Sequence, residues 1–337
     1  MTAKPLIFLD PHPRTRAMVY TEDVAKALDG MGQVVSHFGA RAPDELVERI
    51  LPGVAVIIGQ TDLPSERLDR APNLRAVLNV KANWEPNIDY AAAQARGIQV
   101  LSAAPAMAPA VAEFCLAQAI TLARGLHEAD SLFRGGKEAY GIAGNGRAHS
   151  LYGADIGLVG YGNLGRELAA LLRSFGCTLH AHDPWLSDRY LEAQGLVPAS
   201  LETVLAHSQF LFLLAGVTTD NEGFLDRAKL STIRGDACVI LASRAEIVDF
   251  EALLALAAKG RFRAAIDVYP EEPVPPDAGF RNTPNVLFSA HLAGGLEASY
   301  QRIRDMMLDD VGQILKGLPP LWMQRAEPRL AAMMRSR

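Results

Sequence analysis

The chain has 337 residues, a formal net charge of −5, 21% charged residues and 49% hydrophobic ones. That length suits two domains of ordinary size, and the balance excludes a disordered, collagen-like or disulfide-scaffold protein. No basic excess points to a nucleic-acid partner, and no stretch is read as approaching the apolar length of a membrane helix.

The opening MTAKPLIFLDPHP has an apolar run too short for a secretory signal and is followed by prolines. Cys115, Cys177 and Cys238 are far apart and set in apolar runs, which reads as reduced thiols in a cytoplasmic setting. No cysteine or histidine cluster has zinc spacing, so no metal is expected.

Residues 1–104 alternate short apolar runs with helical patterns. Candidate strands are 6–9, 34–37, 54–58, 76–80 and 98–101, and candidate helices are 22–28, 45–51 and 88–96. The alternation predicts an α/β domain with a parallel sheet. Pro105 and Pro109 then lead into an Ala- and Leu-rich segment, 110–134, predicted as one long connecting helix, and the glycine-rich 135–153 reads as an exposed loop.

Ala154 to Asp183 carries the strongest local signal. Ile156, Leu158 and Val159 form a short apolar run that breaks into Gly160-Tyr161-Gly162-Asn163-Leu164-Gly165. Leu164, Leu168, Leu171, Leu172 and Phe175 then recur at helical spacing, Gly176 stops the helix, and a second strand ends in Asp183. Gly160 suits a tight turn, Gly162 lets a pyrophosphate approach the backbone, and Gly165 lets the helix lie close to its strand. The helix N-terminus offers N–H groups and partial positive charge to the phosphates. Asp183 can accept hydrogen bonds from both hydroxyls of an adenosine ribose and would repel a 2′-phosphate, which favours NAD over NADP.

Further strands are predicted at 210–214, 237–241, 262–268 and 286–289, with helices between them that include 250–259, giving a six-stranded doubly wound sheet. A last helix, 299–316, stops at Gly317 with Pro319 and Pro320 beyond it. The tail arginines Arg329, Arg335 and Arg337 read as a solvated end.

Ligands of such a sheet sit beyond the carboxyl ends of its strands. Successive ends deliver Ser243 and Arg244, then Asp267 with Glu271 and Glu272, then His291. An arginine can hold a substrate carboxylate bidentately and polarise the adjacent carbonyl. A histidine can exchange a proton with the carbonyl oxygen, and a carboxylate can orient the imidazole and favour its charged form. Each alone has a plainer reading: a surface ion pair for Arg244, a solvated acid for Glu272, a hydrogen-bonded strand end for His291. Asp267 ends an apolar strand, so it either reaches the carboxamide of a nicotinamide or bonds local backbone. Residue chemistry leaves Glu271 and Glu272 as competitors. His182 beside Asp183 lies near the adenosine or packs on the strand.

The motifs NIDYAAAQARGIQV, VAEF, VGYGNLG with HDP, SRAEIVDFEAL, AIDVYPEEP and NVLFSAHLAGG follow one another in order. With them the chain resembles the D-isomer-specific 2-hydroxyacid dehydrogenases, including D-3-phosphoglycerate dehydrogenases and hydroxypyruvate/glyoxylate reductases, from about Asn79 to Gly317. The resemblance implies a Rossmann NAD-binding domain, 105–299 with the long connecting helix, inserted into a flavodoxin-like substrate domain, 1–104 plus 300–337. It implies Arg244 as the substrate-carboxylate binder, Glu272 as the partner and His291 as acid/base. It further implies that Asn163, Leu164, Asp183, Ala242, Ser243, Arg244, Asp267, His291 and Gly294 line the cofactor, beside Gly160, Gly162 and Gly165 of the turn. A homodimer is the family's usual assembly, and no membrane partner is expected.

The departures bear on substrate. The family's glycine-rich turn before the NID motif, whose backbone holds the substrate carboxylate, reads here Lys81-Ala82-Asn83-Trp84-Glu85-Pro86. Lys81, Ala82, Asn83 and Trp84 are therefore the expected substrate-side residues, with Trp84 either reshaping the pocket or pointing into the domain core. A usual His-x-Pro is replaced by Leu214-Ala215-Gly216, and a usual glycine after the arginine by Ala245, which would be strained if that position needs positive φ. An appended regulatory domain is not expected after Gly317. The expected activity is NAD-dependent D-2-hydroxyacid dehydrogenation, or 2-oxoacid reduction. The alternatives are an NAD(H)-sensing corepressor-like protein and the oxidation of another small anion such as phosphite.

Overall fold

The computed structural model describes residues 4–333, so Arg335 and Arg337 lie outside the described residues. The chain divides into two compact units. One joins the residues up to Met107 with those from Gly295 onward, and the other is Ala108–Gly294.

The first unit is built on parallel strands β1 (Leu6–Asp10), β2 (Gln33–Ser36), β3 (Val54–Gly59), β4 (Ala76–Asn79) and β5 (Gln99–Ser102). Their spatial order is β5-β4-β3-β1-β2, and a short antiparallel strand, Gln324–Arg325, pairs with β5 at the edge. Helices cover both faces, which is why the strands read as unbroken apolar runs. Ile7 and Leu9 pack to one side with Ile303, Met307 and Val311 of the helix Glu297–Leu315. Phe8 packs to the other with Val47, Leu51 and Leu68.

The second unit holds strands β6 (Asp155–Val159), β7 (Thr178–His182), β8 (Val197–Pro198), β9 (Phe210–Leu213), β10 (Cys238–Leu241), β11 (Arg263–Ile266) and β12 (Val286–Phe288). They are all parallel, in the order β12-β11-β10-β9-β6-β7-β8. The sheet therefore has seven strands among the described residues rather than the expected six. The extra one, β8, is two residues long, too short to leave a period in the sequence. The chain leaves β6 toward β7 and β8 on one side, then returns to build β9 to β12 on the other. Strand order thus reverses between β6 and β9, the place where a doubly wound sheet opens a ligand crevice at its carboxyl edge.

The expected single helix over 110–134 is two helices, Ala104–Arg124 and Leu126–Arg134. Gly125 separates them in the left-handed region at φ 58. Pro109 lies inside the first helix, which begins earlier than its prolines suggested. This 21-residue helix is long and apolar enough to cross a membrane by length and composition, contrary to the expectation that no stretch approaches that length. Its Ala112, Cys115, Ala119, Leu122 and Ala123 instead pack into the sheet's core beside Ile156, Leu168 and Phe210. All three cysteines are free; Cys115 and Cys238 are buried and Cys177 is partly so.

Candidate active site

The glycine turn sits at the end of β6. Gly160 has φ 99, and a Cβ there would lie 2.8 Å from the Ala215 nitrogen. A Cβ on Gly165 would lie 2.8 Å from the Gly160 carbonyl oxygen, so helix and turn touch as the sequence suggested. Gly162 differs: a Cβ there meets nothing within 4 Å, and the residue is exposed. Gly162 is also the N-cap of the helix Asn163–Leu172, with Leu164 in its first turn, and as a glycine it brings no capping side chain of its own. An open backbone approach, a helix N-terminus headed by glycine and a carboxylate at the end of β7 together fit a dinucleotide pyrophosphate and ribose.

Asp183 is held toward this turn. Its Oδ2 accepts from the Tyr161 N–H at 2.8 Å and its Oδ1 from the Trp185 N–H at 2.9 Å. Two N–H donors fix the carboxylate and leave lone pairs for further hydroxyls. His182 bonds the Ala199 carbonyl through Nδ1 at 3.3 Å, so it is tied to the neighbouring strand connection.

Parallel strands bring their carboxyl ends to one edge, and three charged groups meet there. Ala242 and Ser243 are buried just beyond β10, with Ser243 Oγ donating to the Leu213 carbonyl at 3.0 Å. Arg244 follows, and its Nη1 donates to the Ser243 carbonyl at 2.6 Å, leaving the rest of the fork for an anion. Burial draws the Arg244 guanidinium below its ordinary value, and the carboxylates of Glu246 and Glu272 oppose that shift. Ala245 is outside the left-handed region, so its methyl costs no backbone strain.

Glu272 Oε2 stands 2.6 Å from His291 Nδ1. Glu272 Oε1 accepts from the Tyr269 N–H at 2.9 Å. The carboxylate is thus oriented from both sides; Glu271 and Glu272 are both exposed, and the two bonds of Glu272 are what set it apart. Since Glu272 accepts at Nδ1, that nitrogen carries the proton and Nε2 is turned to whatever occupies the site. The imidazole is half-exposed, with 48% of its side chain accessible.

His291 has φ 52, a left-handed conformation uncommon for a non-glycine residue. Asp267 accounts for it. Its backbone carbonyl accepts from the His291 N–H at 2.9 Å. Its Oδ1 accepts from Ser289 Oγ at 2.6 Å and the Leu292 N–H at 2.9 Å, and its Oδ2 from the Ala293 N–H at 3.0 Å. The turn ends at Gly294, beside the buried Ala293. Of the two readings of Asp267, the bonding of local backbone is present: this buried carboxylate accepts the Leu292 and Ala293 N–H groups, and the Ser289 hydroxyl besides. That answers why a charge ends an apolar strand.

The turn after β4 in the first unit is filled differently. Trp84 is 5% exposed and packs in the core, its ring edge-on to Tyr90 at 6.1 Å. Its expected place as a substrate-side residue gives way to the alternative of an inward ring, because the indole plugs the space beneath the turn. Asn79 staples the backbone. Its Oδ1 accepts from the Lys81 N–H at 2.8 Å and from Gln60 Nε2 at 2.7 Å, and its Nδ2 donates to the Asn83 carbonyl at 2.6 Å. Lys81 Nζ pairs with the buried Glu85, which Arg41 also approaches at 3.5 Å. Ala82 lies between these anchors and is half-buried.

The sequence reading missed Asn79, Glu85, Ser289 and Tyr269. Asn79 and Glu85 had a usable signal: a buried-type strand ending in an amide, and a Lys and Glu four apart. The roles of Ser289 and Tyr269 depend on which carbonyls and carboxylates fold beside them, and no spacing encodes that.

A sequence model of the D-isomer specific 2-hydroxyacid dehydrogenase NAD binding domain matches residues 116–293. A glyoxylate reductase of Korarchaeum cryptofilum is 27% identical over 305 residues, covering 86% of this chain and 91% of that protein. A D-3-phosphoglycerate dehydrogenase of Methanocaldococcus jannaschii is 25% identical over 303 residues, covering 88% of this chain but 56% of that longer protein. Among solved structures, a phosphoglycerate oxidoreductase from Rhizobium etli superposes with a TM-score of 0.86 at 39% identity, covering 96% of this chain and 99% of that one.

Proposed function

The chain belongs to the family of D-isomer specific 2-hydroxyacid dehydrogenases, and from that premise we propose that it reduces small 2-oxo acids with NADH through Arg244, Glu272 and His291. The observation that carries the proposal is the 2.6 Å contact between Glu272 Oε2 and His291 Nδ1, on the same sheet edge as the half-buried Arg244 and the glycine turn. Arg244 holds the substrate carboxylate with its free donors and draws electron density from the adjacent carbonyl. Glu272 keeps the Nδ1–H tautomer and stabilises the imidazolium, so Nε2–H faces the carbonyl oxygen and gives it a proton. The nicotinamide dinucleotide, when bound, supplies the hydride. Addition of hydride and proton yields the 2-hydroxy acid, and His291 takes a replacement proton from solvent. In the oxidative direction the same imidazole accepts the hydroxyl proton.

Asp183 supports NAD over NADP, because a fixed carboxylate at the ribose repels a 2′-phosphate. Lys81 and Asn83 are proposed as substrate-side residues, since their turn lies at the carboxyl edge of the first unit's sheet. The units are proposed to act as a nucleotide domain, Ala108–Gly294, and a substrate domain formed by the remainder.

The test is the loss of NADH absorbance with glyoxylate, hydroxypyruvate, pyruvate, phenylpyruvate and phosphohydroxypyruvate, with NADPH in parallel. Turnover on at least one 2-oxo acid is expected, faster with NADH. His291→Ala should lower kcat by about 10²–10⁴-fold with little change in NADH affinity. Near-normal turnover in that variant would remove His291 from the mechanism. Equal use of NADPH would remove the assigned role of Asp183.

We also propose a homodimer. Leu126, Phe133, Tyr140, Ile142 and Tyr152 are 51%, 64%, 77%, 94% and 71% exposed, a run of apolar side chains that a second copy would cover. Light scattering should give the mass of two chains, and the mass of one chain at micromolar concentration would refute it.

A further inference from the structure

We propose that Tyr269 is a positioning residue that clamps the histidine turn onto the Glu272 loop through its phenolic hydroxyl. The proposal rests on the catalytic reading of Glu272 and His291 given above.

The clamp has two ends. The Tyr269 hydroxyl lies 2.7 Å from the Ser289 carbonyl and 3.2 Å from the Ile266 carbonyl. These carbonyls belong to the ends of β12 and β11, the two strands whose loops deliver His291 and Glu272. The backbone N–H of the same residue donates to Glu272 Oε1 at 2.9 Å. Tyr269 therefore touches both halves of the pair, one through its side chain and one through its main chain.

The turn needs such a clamp. Ser289-Ala290-His291 contains neither proline nor glycine, yet it must hold His291 at φ 52. A non-glycine residue in that region is strained, and it persists there only where the surroundings over-determine it. Asp267 restrains the turn by accepting hydrogen bonds. Tyr269 restrains it by donating one to the Ser289 carbonyl, and so fixes the Ser289–Ala290 peptide plane, one peptide ahead of the one that enters His291.

The ring is held in turn. It stacks on Phe280 at 5.9 Å and 17°, with Phe288 at 6.4 Å and Phe250 at 6.1 Å. A cavity of about 580 Å³ opens beside it, lined by Phe280, Arg281, Phe288, Glu272 and His291. The hydroxyl adds a side-chain bond to the turn next to this open space, beyond the bonds that Asp267 makes to it. Burial, with the Asp267 charge nearby, pushes the phenol up to about 12, so the donor stays protonated across the working pH range.

Tyr269→Phe keeps the stacked ring and deletes the donor, and Phe280→Leu disturbs the ring while keeping it. Two readouts are taken on both variants. The first is the ¹⁵N spectrum of His291 in its neutral form. The wild-type protein should show a single tautomer protonated at Nδ1, Tyr269→Phe a mixture, and Phe280→Leu the wild-type pattern. The second is steady-state reduction of the best 2-oxo acid, where Tyr269→Phe should lose about three- to tenfold in kcat, equivalent to up to about 1.4 kcal/mol, with KM for NADH unchanged. An unaltered tautomer and an unaltered kcat in Tyr269→Phe would overturn the proposal. So would equal tautomer mixing in both variants, which would mark a packing effect. The tautomer readout needs no turnover, so failure of the assigned reaction is told apart from failure of the clamp.

Discussion

Two turns in this molecule occupy equivalent places and are built from opposite materials. Each follows a buried parallel strand at the carboxyl edge of a doubly wound sheet: Gly160–Gly165 after β6, and Lys81–Pro86 after β4. The first is made of bare backbone. Its glycines touch their own turn and the next strand connection on one side and leave Gly162 open on the other. The second is made of side chains. An indole fills it from beneath, an asparagine staples its ends, and a buried glutamate ties down its lysine. A backbone turn presents N–H groups to phosphate whatever the flanking sequence. A side-chain turn can be rebuilt for a different ligand, one residue at a time.

The largest expected effect lies in the second turn. Trp84→Ala removes a ring that is 5% exposed and packed on Tyr90, whose hydroxyl in turn donates to the Glu85 carbonyl at 2.6 Å. Truncating a buried tryptophan costs about 3–5 kcal/mol. Denaturant unfolding of the variant should show a loss of that size, with the turn itself disordered. A loss under about 1 kcal/mol together with an altered KM for the 2-oxo acid would mean that the ring faces the ligand, and the contrast between the turns would collapse.

The same contrast explains what was legible in the sequence. The glycine turn was readable because its function lies in absent side chains at fixed spacing. Gly160, Gly162 and Gly165 each have one physical reason, and the structure gives each its own: positive φ, open approach, close packing. That Arg244, a carboxylate from Glu271 or Glu272, and His291 approach one edge was readable because parallel strands bring their carboxyl ends together; the choice of Glu272 came from the family resemblance alone. The direction of Trp84 was not readable, since an indole beside a turn suits a core and a pocket equally. Nor was the demand placed on Asp267. Its carboxylate could be seen to need partners, but the left-handed backbone at His291 that consumes them has no sequence marker. The break at Gly125 and the two-residue strand β8 failed for simpler reasons, because one glycine in an apolar helix is often tolerated and two residues have no period.

A finer test separates the glycines of the first turn from each other. At Gly160 a methyl group would lie 2.8 Å from backbone at φ 99, so substitution there attacks the fold and reports nothing about a ligand. Gly162 has φ −77 and open space where its Cβ would stand. Gly162→Ala should therefore change unfolding free energy by no more than about 0.5 kcal/mol. The methyl would project into the space through which a pyrophosphate reaches the helix N-terminus, and the lost approach should weaken NADH binding by about tenfold, or 1.4 kcal/mol. Fluorescence titration with NADH measures the binding and denaturant unfolding measures the stability, on the same preparation. Unchanged affinity in a stable variant would mean that the phosphates lie elsewhere along the edge. Lost stability with unchanged affinity would mean that Gly162 serves the fold, as Gly160 does. Only the combination of an intact fold and a weakened ligand assigns the open backbone of this turn to the dinucleotide.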